Sequence, residues 1–194
     1  LMPIFREREL RFMLGFADTK AIVIPAEFRG TQYAPMLESI RPELPNLEHV
    51  FVVGGEGDNS FEATLTTPAW EDEIDLDVLF EERRVGPNEV IHYCYTSGTS
   101  GQPKAVMHTY NTLIGSIGGV YALGLDSQSV VLMGSPLAHQ TGFLFGLLMP
   151  ITLGGRTVFM DIWNADHAAK IISEEGVTFT MGATPFLSDL TDSN

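Results

Sequence analysis

Hydrophobic residues in this chain fall into short runs separated by turn residues. Residues 21–24 (AIVI) and 49–53 (HVFVV) are β-branched runs that stop at Pro25 and Gly54, a pattern that predicts buried strands. Residues 90–95 (VIHYCY) predict a third strand and residues 105–108 a fourth. Residues 109–123 carry a helical pattern, weakened by Gly115, Gly118 and Gly119. A strand follows at 130–133, a buried helix at 142–152 and another strand at 157–160. Over 166–175, Ala168, Ile171 and Ile172 share one face and Gly176 stands just past the end, which predicts an amphipathic helix. Residues 177–181 predict the last strand. Strands alternating with helices predict an α/β fold of mostly parallel sheets flanked by helices. Residues 54–59 (GGEGDN) predict a loop, and Thr67-Pro68 predicts a helix start with Thr67 as N-cap.

Composition narrows the function classes. The chain has 194 residues, enough for one or two domains with a sizeable core. Hydrophobic residues are 44% and charged residues 19%, so neither a disordered nor a fibrous protein is expected. The formal net charge is −14, which argues against broad capture of nucleic acid, since that needs a basic face. One phosphorylated small molecule held by a local loop stays possible. Cys94 is the single cysteine, so no internal disulfide forms and a reducing, cytoplasmic setting is expected. The N-terminal residues lack an apolar run after a basic start, so no signal peptide is expected.

Charge is spread unevenly, and Asp126 is the only Asp, Glu, Lys or Arg between Ala105 and Gly155. The apolar stretch 142–155 is shorter than the ~20 residues of a membrane span and is broken by Pro150 and Gly154-Gly155. A transmembrane segment is therefore not expected. Residues 71–82 hold seven acidic side chains and read as a solvated helix or loop. Asp75-Leu76-Asp77 lacks the further ligand and the glycine of a calcium loop, and no Cys/His cluster is present, so no metal ligand is assigned in this chain. His92 and His108 lie on predicted strands and are expected to face solvent or a polar neighbour. Cys94 reads as a small hydrophobe.

The chemistry concentrates in Tyr95-Thr96-Ser97-Gly98-Thr99-Ser100-Gly101-Gln102-Pro103-Lys104-Ala105-Val106. From Thr96 to Gly101 every side chain is a small hydroxyl or absent. Glycines let backbone N–H groups approach an anion closely, and hydroxyls add donors to phosphate oxygens. Lys104 adds one mobile positive charge. Together these parts make a cradle for a polyphosphate. It is not a Walker A loop, because Gln102-Pro103 separates Gly101 from Lys104 and Ala105 stands where Ser or Thr would hold magnesium. The spacing of a dinucleotide fingerprint is also absent. A plain turn between two strands needs only two residues.

This segment resembles the phosphate-binding signature of the adenylate-forming enzymes, [YF]-T-S-G-[ST]-T-G-x-P-K-G-V, at ten of its twelve positions. Ser100 replaces Thr and keeps the hydroxyl, and Ala105 replaces Gly. The superfamily includes acyl- and aryl-CoA synthetases, adenylation domains of peptide synthetases and beetle luciferases. The resemblance extends along nearly the whole chain. Residues 3–10 are similar to an upstream segment of these synthetases, Pro136-Leu137-Ala138-His139 to the P-L-x-H motif, residues 153–177 to a strand–helix–strand, and Thr184-Pro185-Phe186 to a turn at the carboxylate site.

The resemblance implies a layered α/β/α/β/α architecture, of which residues 1–126 would form part of a first subdomain and 127–194 part of a second. It implies an ATP-dependent carboxylate–CoA ligase that forms acyl-AMP and then acyl-CoA, using magnesium and coenzyme A. Thr96, Ser97, Gly98, Thr99, Ser100, Gly101 and Lys104 would hold the phosphates. His139, Thr184 and Pro185 would border the acyl pocket of a carboxylic acid substrate. The family's magnesium-binding, ribose-binding and C-terminal catalytic motifs have no match here. The chain is therefore expected to be an inactive middle slice of a larger domain, with no catalytic residue of its own and with apolar faces prone to self-association. An amino-acid-adenylating domain and a non-catalytic nucleotide-binding fragment are the alternatives. The first expects an Asp near Ala138-His139, and none is there.

Overall fold

Glu7 and Glu9 stand at the start of helix α1 (Glu7–Phe16), where carboxylates favour the positive end of the helix dipole. The Glu9 carboxylate also accepts from the Arg6 backbone N–H at 3.2 Å, satisfying one donor the helix leaves unpaired. Leu10, Met13 and Leu14, at helical spacing, are buried. The structure, a computed structural model, describes residues 1–67, 69–96 and 103–193, with side chains except at Glu71 and Tyr121.

Two compact units divide the chain, one containing Pro3–Gly86 with Tyr95–Val106 and the other Pro87–Cys94 with Met107–Asn194. In the first, β1 (Ala21–Pro25) pairs in parallel with β4 (His49–Val53), Ala21 opposite His49 and Pro25 opposite Val53. A parallel pair needs a crossover. Helix α2 (Tyr33–Ile40) lies within that crossover and buries Tyr33, Met36, Leu37 and Ile40, spaced i, i+3, i+4, i+7. Its face joins Leu10, Leu14, Ile24, Leu44, Leu47 and Val50 in one core. Between β1 and α2 sits a short antiparallel hairpin, β2 (Glu27–Phe28) with β3 (Thr31–Gln32). Arg29 and Gly30 at its tip both have positive φ, the geometry that matches hairpin twist.

Past β4 a single turn of π-helix covers Glu62–Thr66, followed by α3 (Trp70–Glu73) and α4 (Leu76–Glu82). The Asp75 carboxylate caps α4 by accepting from the N–H groups of Asp77 and Val78. The acidic run is therefore largely helical and solvated. Thr67 has helical backbone angles where an N-cap is extended, so its expected capping role is not found; Pro68 lies outside the described residues.

The second unit is built on a parallel sheet ordered β8-β7-β9, with β7 (Val130–Met133) central and fully buried, β8 (Arg156–Phe159) on one side and β9 (Phe179–Thr180) on the other. A π-helix (Gly142–Leu148) and α6 (Met149–Leu153) connect β7 to β8, and α7 (Ala165–Glu175) connects β8 to β9. Gly154 and Gly176 close these helices with positive φ, which glycine adopts at no steric cost. Helix α8 (Thr184–Thr191) follows β9.

β5 (Val90–Thr96) hydrogen-bonds to β6 (Lys104–Thr109), and α5 (Tyr110–Ile117) follows with Thr109 as its N-cap. Residues 107–126, which include α5, lie in the second unit. Leu113, Ile117 and Val120 pack there with Val131, Met133, Leu144 and Met149. The mixed α/β class with parallel sheets is as expected.

Candidate functional site

The phosphate-loop candidates begin where β5 ends. Tyr95 places its hydroxyl 2.8 Å from the Met13 carbonyl, which also accepts from the Ala17 N–H. That carbonyl belongs to the last turn of α1 and takes the tyrosine hydroxyl as a second donor. The end of β5 is thus tied to a helix end. Thr96 closes β5 and Lys104 opens β6, both exposed, and the Thr96 hydroxyl donates to the Lys104 carbonyl at 3.5 Å, the limit of a hydrogen bond. Tyr95 and Val106 sit in strands, as expected. Ser97, Gly98, Thr99, Ser100 and Gly101 lie outside the described residues.

The acid-side candidates lie in the second unit. Adjacent parallel strands send their following segments to the same sheet edge, and β7 pairs with β9 through Leu132 opposite Thr180. His139 follows the end of β7, and Thr184-Pro185 follows the end of β9. All three residues are exposed. The His139 N–H donates to the Pro136 carbonyl at 2.9 Å. The Thr141 N–H donates to His139 Nδ1 at 3.2 Å, which makes Nδ1 an acceptor and puts the proton of the neutral ring on Nε2. Gly142 continues this tight turn; a Cβ there would lie 2.1 Å from the Pro136 carbonyl oxygen. Thr184 and Pro185 open helix α8 rather than forming an isolated turn, with Pro in the first turn where its missing N–H costs nothing.

Trp163, in the segment after β8, reaches both of these elements. Its Cε3 and Cζ3 lie 2.6 and 2.9 Å from where a Cβ on Gly134 would stand. Its ring meets Phe186 edge-on with centroids 4.8 Å apart, and its Nε1–H donates to Asp189 Oδ2 at 3.0 Å. Periodicity gave no hint of this residue, because a lone aromatic in a loop carries no pattern.

His92 and Cys94 lie two apart on β5. The His92 ring packs edge-on against Phe143 at 4.3 Å and lies 5.7 Å from His108. Burial and the neighbouring His108 hold the His92 imidazole below its ordinary pKa. Burial pushes the Cys94 thiol up, consistent with a small hydrophobe. His92 therefore faces an aromatic ring as well as the polar neighbour expected of it. Among the described residues no three His, Cys, Asp or Glu side chains gather to hold a metal ion.

A family model described as AMP-binding enzyme matches residues 1–194. The chain belongs to the AMP-binding enzyme family. Within that family it is 32% identical over 191 residues to a medium-chain fatty-acid–CoA ligase of Escherichia coli (strain K12), covering 98% of this chain and 33% of the relative. It is 29% identical over 160 residues to a benzoate–CoA ligase of Thauera aromatica, covering 81% and 28%. A solved long-chain-fatty-acid–CoA ligase from Archaeoglobus fulgidus superposes with TM-score 0.73 at 27% identity, covering 99% of this chain and 36% of that one. The chain thus spans about a third of the length of the AMP-binding enzymes it matches. Among the described residues no helix is long and apolar enough to cross a membrane.

Proposed function

We propose that this chain supplies the phosphate loop and the acid-binding face of an ATP-dependent carboxylate–CoA ligase. The observation that carries the reading is the segment Tyr95 to Val106, whose described ends form two paired strands tied through Tyr95 to helix α1. In the first step a carboxylate oxygen attacks the α-phosphorus of ATP, the α–β bridge breaks, and pyrophosphate leaves with its electron pair. In the second step the thiol of coenzyme A attacks the acyl carbonyl and AMP leaves. Thr96, Ser97, Gly98, Thr99, Ser100 and Gly101 offer N–H and hydroxyl donors to the phosphates, and Lys104 offsets their charge. His139, through Nε2–H, and Thr184 and Pro185 border the acid.

The chain's part in this chemistry is positioning and electrostatic stabilisation, with no proton-transfer residue of its own. Magnesium would offset further phosphate charge, and the described residues hold no acidic cluster fit to bind it. The relatives named for fatty acids and benzoate, and the lack of an Asp beside His139, favour a carboxylic acid without an amino group. A cytoplasmic location belongs to the same reading. The test supplies the intact gene product with ATP, magnesium, coenzyme A and, in turn, hexanoate, benzoate or glycine, and measures pyrophosphate. Release with hexanoate or benzoate supports the reading; release with glycine alone, or with none of them, rejects it.

A further inference from the structure

We propose that Trp163 is the positioning residue of the acid side, a clamp that holds the His139 loop and the Thr184-Pro185 helix start in one register. The acid-side meaning of those two elements rests on the reading above; the clamp itself rests on geometry. Strands β8, β7 and β9 are parallel neighbours, so the segments after them leave from one sheet edge. Trp163 comes from the segment after β8. Its ring lies directly on the backbone of Gly134, the first residue after β7 and five before His139. Any side chain at 134 would displace the indole, because a Cβ would stand 2.6 Å from Cε3.

The other contacts of the ring fall on α8. Phe186, next to Pro185, meets it edge-on at 80°, the favoured arrangement for aromatic pairs. Asp189, one turn further along, accepts the indole N–H at 3.0 Å. A ring seated on one backbone, one ring edge and one carboxylate cannot rotate without losing a partner. Trp163 also packs in the small core of Leu132, Met160 and Ala168, which fixes its base. An ordinary core residue would fill that space without the glycine seat or the link to exposed Asp189.

The experiment compares hydrogen exchange in the wild-type chain, Trp163→Ala, Trp163→Phe and Asp189→Leu. Trp163→Ala is expected to raise exchange about tenfold in 134–141 and 183–191 together, while 113–117 and 130–133 stay protected. Trp163→Phe, which keeps a ring but loses the N–H, restores 134–141 and only partly 183–191. Asp189→Leu loosens 183–191 alone. Uniform loosening, or loosening confined to 165–175, overturns the clamp. Should Trp163→Ala fail to fold, Trp163→Phe and Asp189→Leu decide the matter: both break the indole–carboxylate bond and are expected to loosen 183–191 while 134–141 stays protected, and loosening of 134–141 in either, or no loosening of 183–191 in both, overturns the proposal. Trp70 and Trp163 are the only tryptophans, so a Trp70→Phe chain reports from Trp163 alone. Its emission is expected to change on titration with hexanoate. A silent titration beside the expected exchange pattern leaves the clamp standing and counts against the acid-side reading.

Discussion

The Tyr95 hydroxyl donates to the Met13 carbonyl at 2.8 Å, so the end of β5, next to the residues proposed to hold phosphate, is fastened to the last turn of α1. Tyr95 and Met13 are 82 positions apart. An aromatic residue with a hydroxyl at this position therefore has a structural task beside its place in the signature. Tyr95→Phe keeps the ring and removes the bond. Because Met13 retains its bond from Ala17, the expected loss is about 1 kcal/mol of unfolding free energy, read from urea midpoints. An unchanged midpoint would show that the tie carries no stability.

Two glycines should respond oppositely to alanine. At Gly142 a new Cβ meets the Pro136 carbonyl oxygen at 2.1 Å, and backbone cannot easily give way. Gly142→Ala is expected to destabilise by roughly 2 kcal/mol or more. At Gly115, inside α5, nothing lies within 4 Å of a new Cβ. Gly115→Ala is expected to stabilise by about 0.5–1 kcal/mol through helix propensity. Thermal unfolding of both variants checks the contrast, and a stabilised Gly142→Ala would contradict the close approach of residue 142 to the Pro136 carbonyl.

Much of the second unit was legible because its elements repeat a pattern. Strand–helix–strand alternation gave β7, β8 and α7 within a residue or so, and Gly176 marked the end of α7 where φ turns positive. The helix expected over 142–152 forms as a π-helix running into α6, a distinction that periodicity does not carry. Helices α1 and α2 escaped notice, although Tyr33, Met36, Leu37 and Ile40 hold helical spacing, because polar residues and Pro35 interrupt the run. The strands β5 and β6 were legible to within a residue from the runs VIHYCY and AVMH. Trp163 and Asp189 were not, since a contact across 26 residues leaves no trace in one sequence.

Acid should weaken the fold through His92. Its folded pKa lies below the ordinary value, from burial first and then from His108. The unfolded chain therefore takes up a proton first as pH falls. The contribution of His92 is fully present above the unfolded pKa of about 6.5 and is lost as pH falls through the lower folded value. Urea midpoints at pH 7.5 and 5.5 should differ in the wild-type chain and differ less in His92→Phe. An equal difference in both would assign the acid sensitivity elsewhere.

The chain by itself is expected to make no measurable acyl-AMP and to self-associate. Met107, Leu123 and Ile151 are 62%, 63% and 69% exposed, and exposed apolar groups seek partners. Sedimentation velocity should find species larger than the monomer. A well-behaved monomer that forms adenylate would mean that the chain contains more of the catalytic apparatus than its residues indicate.

The phosphate loop is tested by pyrophosphate release from the intact gene product, wild type against Lys104→Ala, with ATP and the acid it turns over best. A charge-assisted contact of about 1.5–3 kcal/mol corresponds to a loss of roughly ten- to a hundredfold in kcat/KM for ATP. That loss, with the KM for the acid nearly unchanged, is the outcome expected if Lys104 serves the phosphates. Equal rates for the two proteins would remove Lys104, and with it the cradle, from the chemistry of this chain.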